Sequence, residues 1–327
     1  MKKQNILGML LLLVAASVWG VAFVAQSVGT NHLNAFAFNS IRNAIGVVVL
    51  LPVLAMTRNI NKGRKKNSQP VGTNTSPECV SSSTRPVKLP PLFTKDLFLG
   101  GTLCGIALCI ASNLQQLGIE HSTVGKSAFI TTLYIVLVPV MGLFFRKKVS
   151  LQVWISVVLA MIGLFLLCIK NEVFVLGIGD IYLILCALFF TIQILCVDHY
   201  VQKVDGVALS IMQFFVTAVL SGIGMLFTGL PNWSDIVNAA IPLLYAGAIS
   251  SGVGYTLQIV GQKMLPATVA SLIMSLESVI AALAGWVILH EVLSEKELLG
   301  CVLVFAAVIL TQLPIRAPKM LLGARKK

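Results

Sequence analysis

Ten separate apolar runs of about 18 or more residues each divide this chain, and nothing else in the sequence constrains its fold as tightly. They lie near 6–28, 34–56, 95–119, 124–145, 152–169, 178–200, 207–228, 238–261, 266–289 and 297–314. Backbone N–H and C=O groups in hydrocarbon must pair within the chain, so each run is a helix or part of a closed barrel. Barrel strands need about 10 residues of strict apolar–polar alternation. These runs are twice that length and do not alternate, so the expected class is all-α integral membrane with ten transmembrane helices. Composition agrees: 57% of residues are hydrophobic and only 11% charged, where a soluble domain carries about 25% charged residues.

A formal charge of +12 invites a nucleic-acid reading, but the placement of the charges argues against it. With the N-terminus inside, twenty of the twenty-four basic residues fall at the N-terminus, in alternate connecting segments and in the tail, including Arg64–Lys66, Arg146–Lys148 and Arg325–Lys327. The positive-inside rule then puts both termini in the cytoplasm of a multi-pass protein of the cytoplasmic membrane. The N-terminal apolar run reaches Val28, longer than a signal-peptide core of about 7–15 residues, and is read as a retained first span. The seven cysteines show no CxxC spacing and read as small apolar helix residues. Residues 57–94 are rich in Ser, Thr, Asn, Pro and Lys; they cannot bury a core and are expected to form a disordered cytoplasmic loop.

The chain also resembles itself. A shift of 143 residues lays 114–149 over 257–292 without a gap, matching Gln115 with Gln258, Gly118 with Gly261, Gly142 with Gly285, and five apolar identities. A shift of 171 lays the first two runs over the sixth and seventh, matching Ala16 with Ala187 and Ala37 with Ala208 and placing Arg42 on Gln213. The unit is five helices. An odd unit inserts its second copy upside down, which predicts two inverted five-helix repeats. The expected division is 1–170, 171–314 and a basic cytoplasmic tail, 315–327.

With these residues in view, "AASVWGVAFV" in the first run, Arg42 in the second, "LGIEHSTVGKSAFITTLYIVLVPV" and "TVASLIMSLESVIAALAGWVILHEVLSEKELLGCVLVFAAVIL" resemble the drug/metabolite transporter superfamily, and within it the ten-helix EamA-like transporters. The resemblance implies a central cavity surrounded by spans one to four and six to nine, with the fifth and tenth spans peripheral. It also implies export of amino acids, other metabolites or toxic compounds, coupled to protons in some members. The sequence departs from the family pattern at Ser278, where relatives often carry proline after Leu-Glu, which argues against any helix break there. It departs again at Lys148, where relatives often carry an acid; Glu291 keeps the acidic version in the second half.

Polar residues inside the apolar runs are the candidates for function. Glu277 stands about 16 Å into its helix at 1.5 Å per residue. Facing lipid it would cost about 2.5–3.5 kcal/mol, so it is expected to face the bundle interior, either to bind a proton or a substrate amine or as a structural carboxylate. Tyr134 is its repeat mate. Arg42 stays cationic and either binds a substrate carboxylate, pairs with Glu277, or snorkels to the outer interface. Lys126 either guides an anionic group at the cavity mouth or anchors at the interface. Asn39, Asn43, Asn113, Gln115, Gln116, Gln193 and Gln258 divide between cavity lining and interhelical hydrogen bonds. Trp19, Tyr134, Tyr255 and Trp286 are candidates for packing an apolar substrate moiety. Gly101-x-x-x-Gly105 and "YAGAISSGVGY" read as small-residue faces for close helix contact.

No HExxH, nucleotide-binding glycine loop or Gly-x-Ser-x-Gly motif is present in the sequence, and no metal or cofactor is expected. The expected function is a secondary transporter of small molecules in the lipid bilayer, an exporter of amino acids or related compounds, with protons as candidate coupling ion and a homodimer left open. A phosphorylated-sugar or nucleotide-sugar antiporter of the same fold would require several cavity cations, of which only Arg42 and Lys126 qualify. A membrane-embedded lipid-modifying enzyme would require a polar catalytic cluster at one interface, which the short loops do not supply.

Overall fold

The structure is a computed structural model that describes residues 3–66, 94–144, 149–168, 177–288 and 294–313. Its elements, in order, are α1 (Lys3–Thr30), α2 (Ala35–Lys66), α3 (Lys95–Glu120), α4 (Val124–Thr131), α5 (Tyr134–Phe144), α6 (Leu151–Cys168), α7 (Ile178–Tyr200) and α8 (Gly206–Thr228). There follow α9 (Trp233–Asn238), α10 (Ala240–Leu244), a π-helical segment (Tyr245–Tyr255), α11 (Thr256–Gln262), α12 (Ala267–Met274), α13 (Leu276–Ile288) and α14 (Glu295–Gln312). No strand occurs among the described residues. Helix starts follow local chemistry: the hydroxyls of Thr94, Thr123 and Ser294 accept from the backbone N–H three residues on, and Asp205 accepts from the N–H groups of Val207 and Ala208, which satisfies donors that a helix leaves unpaired at its start.

Burial is distributed as a bilayer requires. Leu10, Leu51, Phe98, Phe144, Ile155 and Phe227 are exposed, whereas Asn39, Arg42, Gln116, Gln193, Gln213 and Glu277 are buried. In water this arrangement would be unfavourable on both counts; in lipid the apolar surface needs no cover and the polar groups need partners. The chain is a multi-pass membrane protein. Among the described residues, eight helices are long and apolar enough to cross a bilayer, α4 with α5 and α12 with α13 each forming one such span. Two of the ten apolar runs fall short of that measure. The apolar stretch of α6, Leu151–Leu166, is shorter, and α14 opens on Glu295, Lys296 and Glu297. Helix α2 runs to Lys66, so residues 57–66, expected as loop, are helical; the rest of that segment up to residue 93 lies outside the described residues, as do Lys148, Glu291 and the tail from 314.

Each half packs against the other. Helix α1 lies along α13, α2 along α8, α3 along α7 and α8, and α6 along α14. Contacts between loops tie distant helix ends together: Asn34 Nδ2 donates to the Gly229 carbonyl at 3.2 Å, and Gln202 Nε2 to the Lys263 carbonyl at 3.3 Å. The small-residue faces act as read from sequence. A Cβ at Gly247 would stand 2.7 Å from Ile45 Cβ and 2.8 Å from the Arg42 carbonyl, and one at Gly105 would stand 2.8 Å from the Gln213 carbonyl. Only glycine permits these backbone approaches.

Two spans are broken at matching places. Helix α4 ends at Thr131 and α5 begins at Tyr134; α12 ends at Met274 and α13 begins at Leu276. The limits of α4 and α12 coincide under the shift of 143. The second break, which Ser278 in place of proline argued against in the sequence, forms nonetheless. Ser275 Oγ donates to the Leu272 carbonyl at 2.7 Å, and the Ser278 N–H bonds to the Ser275 carbonyl, three residues back, at 3.2 Å. Competing hydroxyls and i→i−3 bonding tighten the turn. In the first break Thr132 Oγ1 donates to the Ala128 carbonyl at 2.6 Å. The two breaks touch: the Thr132 and Ser278 hydroxyls are 2.6 Å apart, and Ser278 Oγ also reaches the Ala128 carbonyl at 3.2 Å.

Candidate functional site

Beside this crossing lies a cavity with about 470 Å³ of space unfilled by protein atoms, counted out to its open mouth. One face of α1 supplies Trp19, Ala22, Phe23 and Gln26, the i, i+3, i+4, i+7 spacing of a helical stripe. Arg42 enters from α2, Gln115 from α3, Thr131 from α4 and Tyr134 from α5. The other half supplies Phe190, Gln193 and Ile194 from α7, Ser250 and Tyr255 from the π-helical segment, Gln258 from α11, Met274 from α12 and Glu277 from α13. The peripheral pair α6 and α14 supplies no lining residue, and neither does α8.

The lining residues correspond under the two sequence shifts. Trp19 falls on Phe190, Ala22 on Gln193 and Phe23 on Ile194 at 171 residues; Gln115 falls on Gln258, Thr131 on Met274 and Tyr134 on Glu277 at 143. The last pair are in contact. Tyr134 Oη donates to Glu277 Oε1 at 2.9 Å, and each residue stands in the first turn after its helix break, where the positive end of the following half-helix favours negative charge. Glu277 is 4% exposed and Tyr134 3%.

Arg42 is 2% exposed, so it does not snorkel. Its Nη1 donates to Gln26 Oε1 at 3.0 Å. Gln26 is held in turn by the Gln116 amide, which donates to the Gln26 carbonyl at 3.0 Å. Arg42 Nε is buried without a partner. The pairing of Arg42 with Glu277, one of the sequence readings, is absent: the two line one cavity but make no ion pair with each other. A buried cation held by one neutral amide and by the face of the Phe38 ring, 6.0 Å from its centroid, lacks a countercharge among the described residues, which marks the Arg42 end of the cavity as a place for an anion. The Trp19 and Tyr255 rings, with centroids 4.8 Å apart, form an aromatic wall.

Eight of the fourteen residues singled out from sequence, Trp19, Arg42, Gln115, Tyr134, Gln193, Tyr255, Gln258 and Glu277, therefore line one cavity. Lys126 does not. Its Nζ lies 2.7 Å from Asp180 Oδ2, which also accepts from the Gly177 N–H at the start of α7. Trp286 is exposed on the outer face of α13. Of the polar amides, Gln115, Gln193 and Gln258 line the cavity, while Asn39, Asn43 and Asn113 bond one another, neighbouring carbonyls and Ser221 between α2, α3 and α8. Sequence reading missed Gln26; its signal was the seven-residue spacing from Trp19 on a common face.

The EamA-like transporter family matches this chain twice, over residues 6–169 and 177–313. An uncharacterized transporter of Archaeoglobus fulgidus is 27% identical over 305 residues, which is 93% of this chain and 85% of the relative. A protein of known crystal structure superposes with a TM-score of 0.67 over 93% of this chain and 96% of its own, at 13% identity, a likeness of fold alone. With nearly the whole length matched and its spans packed around one polar cavity, the chain belongs to the EamA-like transporter family.

Proposed function

We propose that this transporter carries an amino acid or a related zwitterion out across the cytoplasmic membrane by alternating access. Its ten spans form two inverted five-helix halves with both termini in the cytoplasm. The observation that carries the substrate reading is that Arg42 and Glu277 line one cavity, buried, without pairing with each other. A zwitterion offers a carboxylate to the first and an amine to the second, and the aromatic wall takes up its apolar atoms. The inverted arrangement is supported by the coincident helix breaks, the paired lining residues and the contact of Tyr134 with its own repeat mate. Proton coupling follows if Glu277 exchanges its proton for the substrate amine as the halves rock.

The phosphorylated-sugar alternative is weaker, because a phosphate calls for several cations and Arg42 is the one basic residue among the lining residues. Thermal unfolding of the purified protein against amino acids, drugs and phosphorylated sugars tests the choice. A ligand at a hundredfold excess over its Kd stabilises the folded state by about 2.7 kcal/mol. Zwitterionic amino acids are expected to raise the melting temperature; a rise with phosphorylated sugars alone would overturn the proposal.

A further inference from the structure

Three glutamines form a chain of amides running from the cavity wall into the protein. Gln258 Nε2 donates to Gln193 Oε1 at 3.3 Å, and Gln193 Nε2 donates to Gln213 Oε1 at 3.2 Å. All three are at most 1% exposed. Gln193 and Gln258 line the cavity, whereas Gln213, on α8, stands behind them. The two ends of the chain are unfinished: Gln258 Oε1 and Gln213 Nε2 are buried with no partner among the described residues. An unmade hydrogen bond at a buried amide is costly, so the cavity end of the chain calls for a partner.

The chain has a second form. If all three amides flip together, every internal bond is kept with donor and acceptor exchanged, and Gln258 then presents an N–H in place of a carbonyl. The cavity end can therefore meet either a donor or an acceptor, but it supplies no charge. Gln115, the repeat mate of Gln258, also lines the cavity.

We infer that Gln193, Gln213 and Gln258 form a specificity subsite selecting zwitterions whose side chain carries a neutral hydrogen-bonding group, such as a carboxamide, over aliphatic and charged side chains of the same length. The inference rests on the zwitterion reading above. An aliphatic side chain would leave the amide end unpaired, and a charged one would be desolvated beside amides that carry no countercharge.

The test is equilibrium binding to the purified full chain of L-alanine, L-glutamine, L-norleucine and L-glutamate. Glutamine is expected to bind about tenfold or more tightly than norleucine and glutamate. In Gln258→Met and Gln193→Met the ratio of glutamine to norleucine should fall close to one, in protein that still unfolds cooperatively. Equal binding of glutamine and norleucine by the unaltered protein would overturn the subsite, and needs no variant to fold. Retention of the preference in either variant would overturn it too. Binding of none of the four would instead sink the zwitterion reading on which it rests.

Discussion

Glu277 and Gln differ by one atom, which makes Glu277→Gln the cleanest single substitution in the cavity. The amide keeps the shape and can still accept from Tyr134, so the variant should fold and insert. It can neither bind a transported proton nor counter a substrate amine. In proteoliposomes it is expected to lose accumulation driven by a pH gradient while retaining some exchange; undiminished gradient-driven transport would make Glu277 a structural carboxylate. This residue and Arg42 were legible in the sequence because a charge within an apolar run is conspicuous, and its cost in lipid turns it inward. Neutral residues give no such signal. Gln26 sits at the end of a run and shows only through its phase with Trp19. Trp286 misleads for the complementary reason: nine residues beyond Glu277, at about 100° per residue, it falls on the opposite side of the helix. Lys126 was visible as a cation, but its partner Asp180 lies 54 residues away, and no local pattern announces such a contact.

The broken helices are the elements that bring these side chains together, and α1 is packed tightly against one of them. A Cβ at Gly20 would stand 2.5 Å from Ile280 Cβ and 2.8 Å from the backbone nitrogen of Ala281, so α1 and α13 cannot keep their spacing if it is added. Gly20→Ala is expected to destabilise the protein by about 1–3 kcal/mol, read as a lower melting temperature in detergent. Because Trp19 and Glu277 lie on the same two helices, ligand affinity should fall with it; an unchanged melting temperature would show that the helices separate freely. Run length made the helices themselves legible. The break at Ser275 was not, because the expected signal was proline and the device used is a set of hydroxyls bonding to nearby carbonyls, a choice that isolated serines and threonines do not reveal. The π-helical segment was likewise hidden: its glycines and serines announce close packing, not the extra residue per turn.

Across the whole molecule, the sidedness of the spans can be read by chemical labelling. In a cysteine-free background, Asn31→Cys and Gln202→Cys place one thiol on each exposed end of the bundle. The proposed topology expects an impermeant maleimide to reach residue 31 in intact cells and residue 202 only after permeabilisation; the reverse pattern would put the termini outside. The fold class, the paired halves and most of the cavity could be read from one sequence because duplication left two imperfect copies to compare, while the tertiary partners of each polar residue could not. Those imperfections have a consequence of their own. Two identical inverted halves would make an empty carrier equally stable facing either side of the membrane. Here the contact between repeat mates joins a phenol to a carboxylate. In the proposed alternating access, exchanging the conformations of the halves would move an acid into the place of a phenol. On that proposal the two facing states would not have equal energy, and the unloaded transporter would have a resting side, a bias written into the residues at its centre before any gradient acts on it.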